Sequence, residues 1–251
     1  MNRRTVIVTG AGSLRGIGRV ISADLARAGY EIAIYDRDEQ GARSCAEHLS
    51  SAYGVKVTAQ AVDVSDEHQV ADAVAATEKA HGGVYGLVNN AGISAPTPVE
   101  EISVTEWERI FAVNVRGVFL MSQAVLPIMR AKRAGRIVNM SSVSAQRGGG
   151  IFGASHYSAA KAAVLGFTKA VAREVGKDGV RVNAVAPSMV DTDIDGGLLT
   201  PERKAQLAED TLLGRLATPS DVSAAVMFLM SPESDYITGA TIDVNGGGHL
   251  H

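Results

Sequence analysis

The 251-residue sequence is poor in several things at once, and each shortage removes a class of protein. A single cysteine, Cys45, excludes a disulfide framework within the chain and fits a reducing, cytoplasmic setting. Aromatic residues make up only 5%, and the formal net charge is -3 with no run of five or more like charges. Neither nucleic acid nor an anionic membrane surface is therefore a natural partner. No segment holds 18 uninterrupted apolar residues, and the early apolar run ends at Gly10, too short for a signal core or a membrane span. His48, His68, His81, His249 and His251 show no metal-ligand spacing with acidic residues. They read as surface side chains, and no metal is expected. No Pro/Ser-rich linker, repeat or low-complexity segment divides the chain.

What is present is apolar and regular: 46% of residues are hydrophobic. Short β-branched runs at 5–9, 31–36, 57–64, 86–90, 135–142, 181–187 and 241–245 read as strands. Helical periodicity fills the gaps, at about 17–29, 38–53, 66–81, 105–131, 156–176, 201–213 and 219–230. Strands separated by helices imply crossovers and a parallel sheet, and strands apolar almost throughout imply helices on both faces. The pattern predicts an α/β fold: one doubly wound domain over 1–251 with a seven-stranded parallel sheet. In such sheets ligands gather outside the carboxyl ends of the strands. Those ends carry a glycine turn, Asp36, Asp63, Asn89-Asn90-Ala91-Gly92, Ser141-Ser142 and Pro187-Ser188.

The glycine turn, TGAGSLRGIG at 9–18, follows a strand and opens a helix. That is the context in which a Rossmann-type turn binds a dinucleotide. Gly10, Gly12, Gly16 and Gly18 let the backbone approach a pyrophosphate, and the helix beginning near Ile17 points its free N–H groups at it. Taken alone, such a turn also simply joins a strand to a helix. Asp36 adds weight: it ends the second strand 20 residues after Gly16, where a carboxylate accepts hydrogen bonds from the adenosine ribose. It would repel a 2′-phosphate and so favours NAD over NADP, whereas Arg15 and Arg37 could pair with that phosphate. Asp63-Val64 stands where the adenine would lie, and Asn90-Ala91-Gly92 allows close approach to ribose and nicotinamide. Ser65, or less naturally Asp63, could instead cap the helix that follows.

Chemistry is suggested by Tyr157-Ser-Ala-Ala-Lys161, whose spacing puts the phenol and the ammonium on one helix face. At about 4 Å and an effective dielectric near 20, the positive charge favours phenolate by roughly 4 kcal/mol, or about three pKa units. Such a phenol exchanges a proton with a carbonyl or alcohol oxygen. Ser142 reaches the same edge from the fifth strand, and only one of Ser141 and Ser142 can face the site. Asn114 interrupts an apolar helix and is free to bond backbone or water.

Together these stretches resemble the short-chain dehydrogenase/reductases over essentially the whole length. The matching motifs are TGAGSLRGIG, YDRD, DVSD, NNAGIS, VNVRGVF, GRIVNMSS, YSAAKAA, VRVNAVAPSMVDTD, GRLATPSDV and YITGATIDVNGG. The resemblance implies Tyr157 as acid/base, Lys161 as the residue that lowers its pKa and binds ribose, Ser142 as holder of the substrate oxygen and Asn114 as holder of a relay water. It also implies Asn90 and Pro187 beside the cofactor, Val190 and Thr192 at the carboxamide, and a homotetramer. Three departures stand out: a longer glycine turn, a longer Ser142–Tyr157 segment bearing Gly148-Gly149-Gly150, and Ser188 in place of the usual glycine.

The expected reaction is hydride transfer between NAD(H) and a secondary alcohol or ketone. Ser94, Ser144, Gln146, Arg147, Ser155 and His156 form a polar margin that suits a small polyol, sugar or hydroxyketone, with Ser144, Arg147 and His156 as direct contacts. The alternative is an NADP(H)-dependent 3-oxoacyl thioester reductase, with Arg147 as an anion contact; an inactive NAD-binding scaffold is the alternative from another class. Enoyl reductases share the longer glycine turn but space their tyrosine and lysine farther apart. Segment 189–214, with Asp191, Asp193, Asp195 and Gly196-Gly197, reads as a substrate lid. Trp107 reads as core or interface, and the terminal Gly-Gly-Gly-His-Leu-His as a loose end.

Overall fold

The β-branched runs do form strands, and the alternation of their side chains explains how one sheet buries both faces. The computed structural model describes residues 4–151, 153–192 and 200–250. Its strands are β1 (Thr5–Thr9), β2 (Glu31–Asp36), β3 (Val57–Ala61), β4 (Gly86–Asn89), β5 (Gly135–Met140), β6 (Val180–Pro187) and β7 (Thr241–Val244). All pair in parallel, in the order β3-β2-β1-β4-β5-β6-β7. The helices are α1 (Ile17–Arg27), α2 (Glu39–Tyr53), α3 (Glu67–His81), α4 (Val104–Phe111), α5 (Gly117–Lys132), α6 (Ser144–Arg147), α7 (Ser155–Val175), α8 (Pro201–Glu209) and α9 (Pro219–Met230).

Val6, Val8, Ile32 and Ile34 face one way and pack with Ile21 and Leu25 of α1 and Val222 and Val226 of α9. Ile7, Ala33, Tyr35 and Leu87 face the other way and pack with Val70 and Val74 of α3, Met121 and Val125 of α5, and Val171 and Val175 of α7. Each large apolar side chain so buried contributes about 1.5–3 kcal/mol. Tyr35 keeps its hydroxyl bonded in this core, to Ala73 O at 2.7 Å and Thr77 Oγ1 at 2.6 Å. The strand order reverses between β1 and β4, which opens a crevice at their carboxyl ends.

Several boundaries differ from the sequence reading. The third strand, expected over 57–64, stops at Ala61, because Asp63 Oδ1 accepts from Ser65 N and Oγ and turns the chain. The cap of α3 is neither Asp63 nor Ser65 but Asp66, which accepts from Gln69 N. The helix expected over 105–131 is divided: a π turn, Ala112–Arg116, separates α4 from α5. Its cause is Asn114, whose Nδ2 donates to Ile110 O at 3.0 Å and competes with the backbone ladder. By length and composition Val104–Lys132 passes for a membrane span, yet it packs on α3, α7, β4 and β5. The helix expected over 201–213 ends at Glu209, where Thr211 Oγ1 bonds Ala208 O and Arg215 O.

His81 is not a surface residue. Its side chain is fully buried, with Nδ1 against Glu31 Oε2 at 2.8 Å and Nε2 against Thr58 Oγ1 at 3.0 Å, at the amino ends of the strands. Trp107 is not core: it is half exposed on α4 and stacks on Phe111 with ring centroids 4.8 Å apart. Cys45 is buried, and burial pushes its thiol up to about 11, which leaves it unreactive.

Candidate active site

The carboxyl ends of the strands open on a cavity of about 720 Å³. At its β1 end, Gly10 adopts φ +68° and donates its N–H to Tyr35 O at 2.7 Å, fixing the glycine turn on β2. Gly18 permits α1 to pack on that turn, since a Cβ there would lie 2.4 Å from Gly10 O. Gly16 caps α1 without any side-chain bond, and the first turn of the helix holds no acidic residue. The free N–H groups of α1 thus start beside Gly16 and Ile17, which line the cavity. That is a ready anion site.

Asp36 also lines the cavity, and its carboxylate is held by two backbone donors: Gly12 N on Oδ2 at 2.7 Å and Asp38 N on Oδ1 at 2.9 Å. Arg37, Asp63, Val64, Asn90, Ala91, Gly92, Pro187, Val190 and Thr192 line the same space. Asn90 is held by its own bonds, donating Nδ2 to Thr9 O and Gly10 O, each at 2.9 Å. Gly12 and Gly18 shape the turn from behind the cavity wall. Arg15 is not among the residues that line the cavity and pairs with Asp191 Oδ1 at 3.3 Å. A long cleft, an uncapped helix terminus and a fixed carboxylate at the second strand fit a nicotinamide dinucleotide.

At the other end stand Ser142, Tyr157 and Lys161. Both serines line the cavity, but Ser141 Oγ is committed to Lys161 O at 2.9 Å. Ser142 lines the cavity with Tyr157, and its Oγ accepts from Ser144 N at 3.1 Å. Lys161 Nζ donates to Met140 O at 2.9 Å and lies 5.7 Å from the centre of the Tyr157 ring. Gly153 brings the backbone against that ring: a Cβ there would be 2.2 Å from Tyr157 Cδ1.

The expected electrostatics of this pair need correction. Burial pushes the Tyr157 phenol above its ordinary value, opposed by the Ser142 hydrogen bond. Burial also brings the Lys161 ammonium down to about 8. The sequence argument placed a solvated ammonium about 4 Å from the phenol; the fold instead desolvates both groups and turns the ammonium onto a carbonyl. Asn114 is fully buried behind Gly92, with Nδ2 on Ile93 O at 2.8 Å and on Ile110 O. Among the described residues its Oδ1 has no partner, and a Cβ on Gly92 would lie 2.8 Å from it and 3.3 Å from Lys161 Nζ. An unsatisfied acceptor beside a lysine is where a water would bind.

The match with known proteins follows the same residues. The family profile described as enoyl-(acyl carrier protein) reductase matches residues 10–249. An uncharacterised short-chain type dehydrogenase/reductase of Sinorhizobium fredii is 45% identical over 249 residues, 99% of this chain and 98% of the relative. The chain belongs to the short-chain dehydrogenase/reductases. A 3-oxoacyl-[acyl-carrier-protein] reductase of Vibrio cholerae is 40% identical over 247 residues, 98% of each chain. The crystal structure of a 3-oxoacyl-[acyl-carrier protein] reductase with bound NAD from Brucella melitensis superposes with a TM-score of 0.90 at 35% identity, covering 99% of this chain and 92% of that one. As a member of this family the protein is an oxidoreductase that uses a nicotinamide cofactor.

The substrate margin is only half as expected. Ser94, Ser144 and Arg147 line the cavity, whereas Gln146 Nε2 donates to Asp243 Oδ1 at 2.7 Å, and Ser155 is not part of the wall. His156 is corrected outright as a substrate contact: it is fully buried against α4, its Nε2 bonding Glu106 Oε1 at 2.9 Å. Adjacent residues on a helix point about 100° apart, so Tyr157 and His156 cannot share the cavity. Ile93, Val143, Ile151, Met189 and Leu207 supply an apolar wall that the sequence reading did not anticipate. The C-terminal glycine run is not a loose end: Asn245 ties Gly247 N and His249 O, and Gly248 lines the cavity. Its sequence signal was Asn-Gly-Gly after a strand, a turn signature. Asp193, Asp195, Gly196, Gly197 and His251 lie outside the described residues.

Proposed function

We propose that the protein interconverts a ketone and a secondary alcohol with NAD(H), through Tyr157, Ser142, Lys161 and Asn114. The observation that carries this is that Ser142, Tyr157 and Lys161 line one cavity, with Lys161 one helical turn beyond Tyr157 on α7. A bound nicotinamide supplies or accepts the hydride. Ser142 holds the substrate oxygen against Tyr157, which gives it a proton in reduction and takes one in oxidation. Burial keeps the phenol protonated at neutral pH, which suits reduction. Lys161 orients the ribose, and a water on Asn114 Oδ1 relays protons toward it. Asp36 favours NAD: its oxygens, fixed by Gly12 and Asp38, leave no room for a 2′-phosphate without repulsion. The apolar wall favours a substrate with a short alkyl chain over a fully hydroxylated sugar.

The second reading is reduction of a 3-oxoacyl thioester, favoured by the Vibrio cholerae and Brucella melitensis relatives. Carbonyl chemistry is preferred over enoyl reduction because Tyr157 and Lys161 sit one turn apart, with Ser142 lining the same cavity. The expected lid, 189–214, is described over 189–192 and 200–214, and these two parts are joined through Asp191, which meets both Arg15 and Lys204 of α8. The exposed Val104, Trp107 and Phe119 of α4 and α5 suit the interface of a cytoplasmic homotetramer. The test is initial-rate kinetics with NADH and NADPH against short ketones, hydroxyketones and acetoacetyl thioesters. NADH with short ketones as the best pairing is expected. NADPH with the thioester far ahead would overturn this reading in favour of the second.

A further inference from the structure

We propose that the substrate carries an anionic group, a carboxylate or a phosphate, a few methylenes from its carbonyl, and that Arg147 and Arg203 bind it. This rests on the ketone-reductase reading above and names the substrate class for the same cavity.

Both arginines line the cavity that Tyr157 lines. Among the described residues neither has a carboxylate partner. Among the described residues Arg147 makes no side-chain hydrogen bond or ion pair, and Arg203 bonds only the neutral Gln206 Oε1, at 2.5 Å. Nearby carboxylates are already used. Asp191 accepts from Lys204 at 2.7 Å and Arg15 at 3.3 Å, which hold it below the usual carboxylate range. Asp243 accepts from Gln146, the neighbour of Arg147. Of the described carboxylates lining the cavity, Asp36 ends β2 and Asp63 follows β3, the cofactor strands, which leaves Asp210 alone outside them.

The two arginines also stand on built supports. Arg147 closes the short helix α6, its N–H on Val143 O at 3.1 Å. The chain then turns through Gly148 and Gly149 at φ +75° and +67°, and Gly149 N is pinned by Ser158 Oγ at 2.8 Å, on α7 one residue beyond Tyr157. Arg203 lies in the first turn of α8, its N–H capped by Thr200 Oγ1 at 3.2 Å. Ile151, Met189 and Leu207 line the same cavity as both arginines and Tyr157, and they suit an alkyl spacer between the carbonyl and the anion. Guanidinium forks match carboxylate and phosphate oxygens in geometry as well as charge.

The test is a ratio of kcat/KM within matched pairs, with NADH as reductant: 4-oxopentanoate and 5-oxohexanoate against their methyl esters, and dihydroxyacetone phosphate against dihydroxyacetone. The acids, or the phosphate, should exceed their neutral partners at least ~10-fold, as charge-assisted bonds to two guanidinium groups allow. The pair with the larger ratio identifies the anion. In an R147Q/R203Q double variant the ratio should fall to about one, and R203E should lower it further; a retained thermal melt shows that the variants are folded. Esters reduced as well as acids by the wild type, or a ratio that survives in a folded double variant, would sink the inference. So would a neutral acetoacetyl thioester that outruns every acid. Absence of turnover for all ketones with either cofactor would instead defeat the oxidoreductase reading on which the inference stands.

Discussion

Lys161→Met should make the protein more stable at neutral pH while removing its activity. Lys161 is buried, and burial lowers its pKa from 10.5 to about 8. Between those two pH values the unfolded chain holds a proton that the folded chain does not, so stability rises with pH across that window. Below pH 8 the full cost of burying the ammonium is present, about 3 kcal/mol for a displacement of this size. Above pH 10.5 both states are neutral and the cost has gone. Methionine removes the charge and fills similar volume, but it gives up the hydrogen bond to Met140 O, worth about 1–2 kcal/mol. The variant should therefore gain about 1–2 kcal/mol at pH 7. That advantage should shrink from pH 8 upward and reverse at about pH 9–10, where the remaining charge cost falls below the lost hydrogen bond. Urea unfolding followed by circular dichroism, at fixed protein concentration from pH 7 to 10, measures it. Other titrating groups are common to both proteins and cancel in the difference. A variant less stable than the wild type at pH 7, or a gap between them that ignores pH, would refute the reasoning.

Tyr157→Phe removes the proton donor and keeps the ring against Gly153, so kcat for ketone reduction should fall roughly 10²–10⁴-fold with a much smaller change in the KM for NADH, read from NADH absorbance. Asp36→Ala should shift the NADH-to-NADPH ratio of kcat/KM at least ~10-fold toward NADPH, since it deletes the fixed carboxylate at the ribose and leaves Arg37 in the wall. Asn114→Ala leaves Ile93 O and Ile110 O without their side-chain donor, a cost of about 2–4 kcal/mol; calorimetry should show a fall in Tm of roughly 5–15 °C.

The parts of this molecule that the sequence made legible are those decided within a few residues of each other. Short β-branched runs, apolar almost throughout, announced β1, β2 and β6, and a three-residue gap placed Tyr157 and Lys161 on one face of α7. Asn114 was legible as a disturbance in a helix, because an amide in mid-helix has few ways to be satisfied. What the sequence withheld depends on where long side chains end and on how dry their surroundings are. Arg15 meets Asp191 across 176 positions, and His156 meets Glu106 across 50; no local pattern encodes either contact. The phenol–ammonium argument failed for the same reason, since its sign depends on solvation. Coulomb attraction at one helical turn is a surface estimate, and the fold moved both groups out of water, where burial raises one pKa and lowers the other. A motif thus fixes which groups meet, whereas the surrounding core fixes their protonation. For this chain burial keeps the Tyr157 phenol protonated at neutral pH, with Lys161 charged below about pH 8.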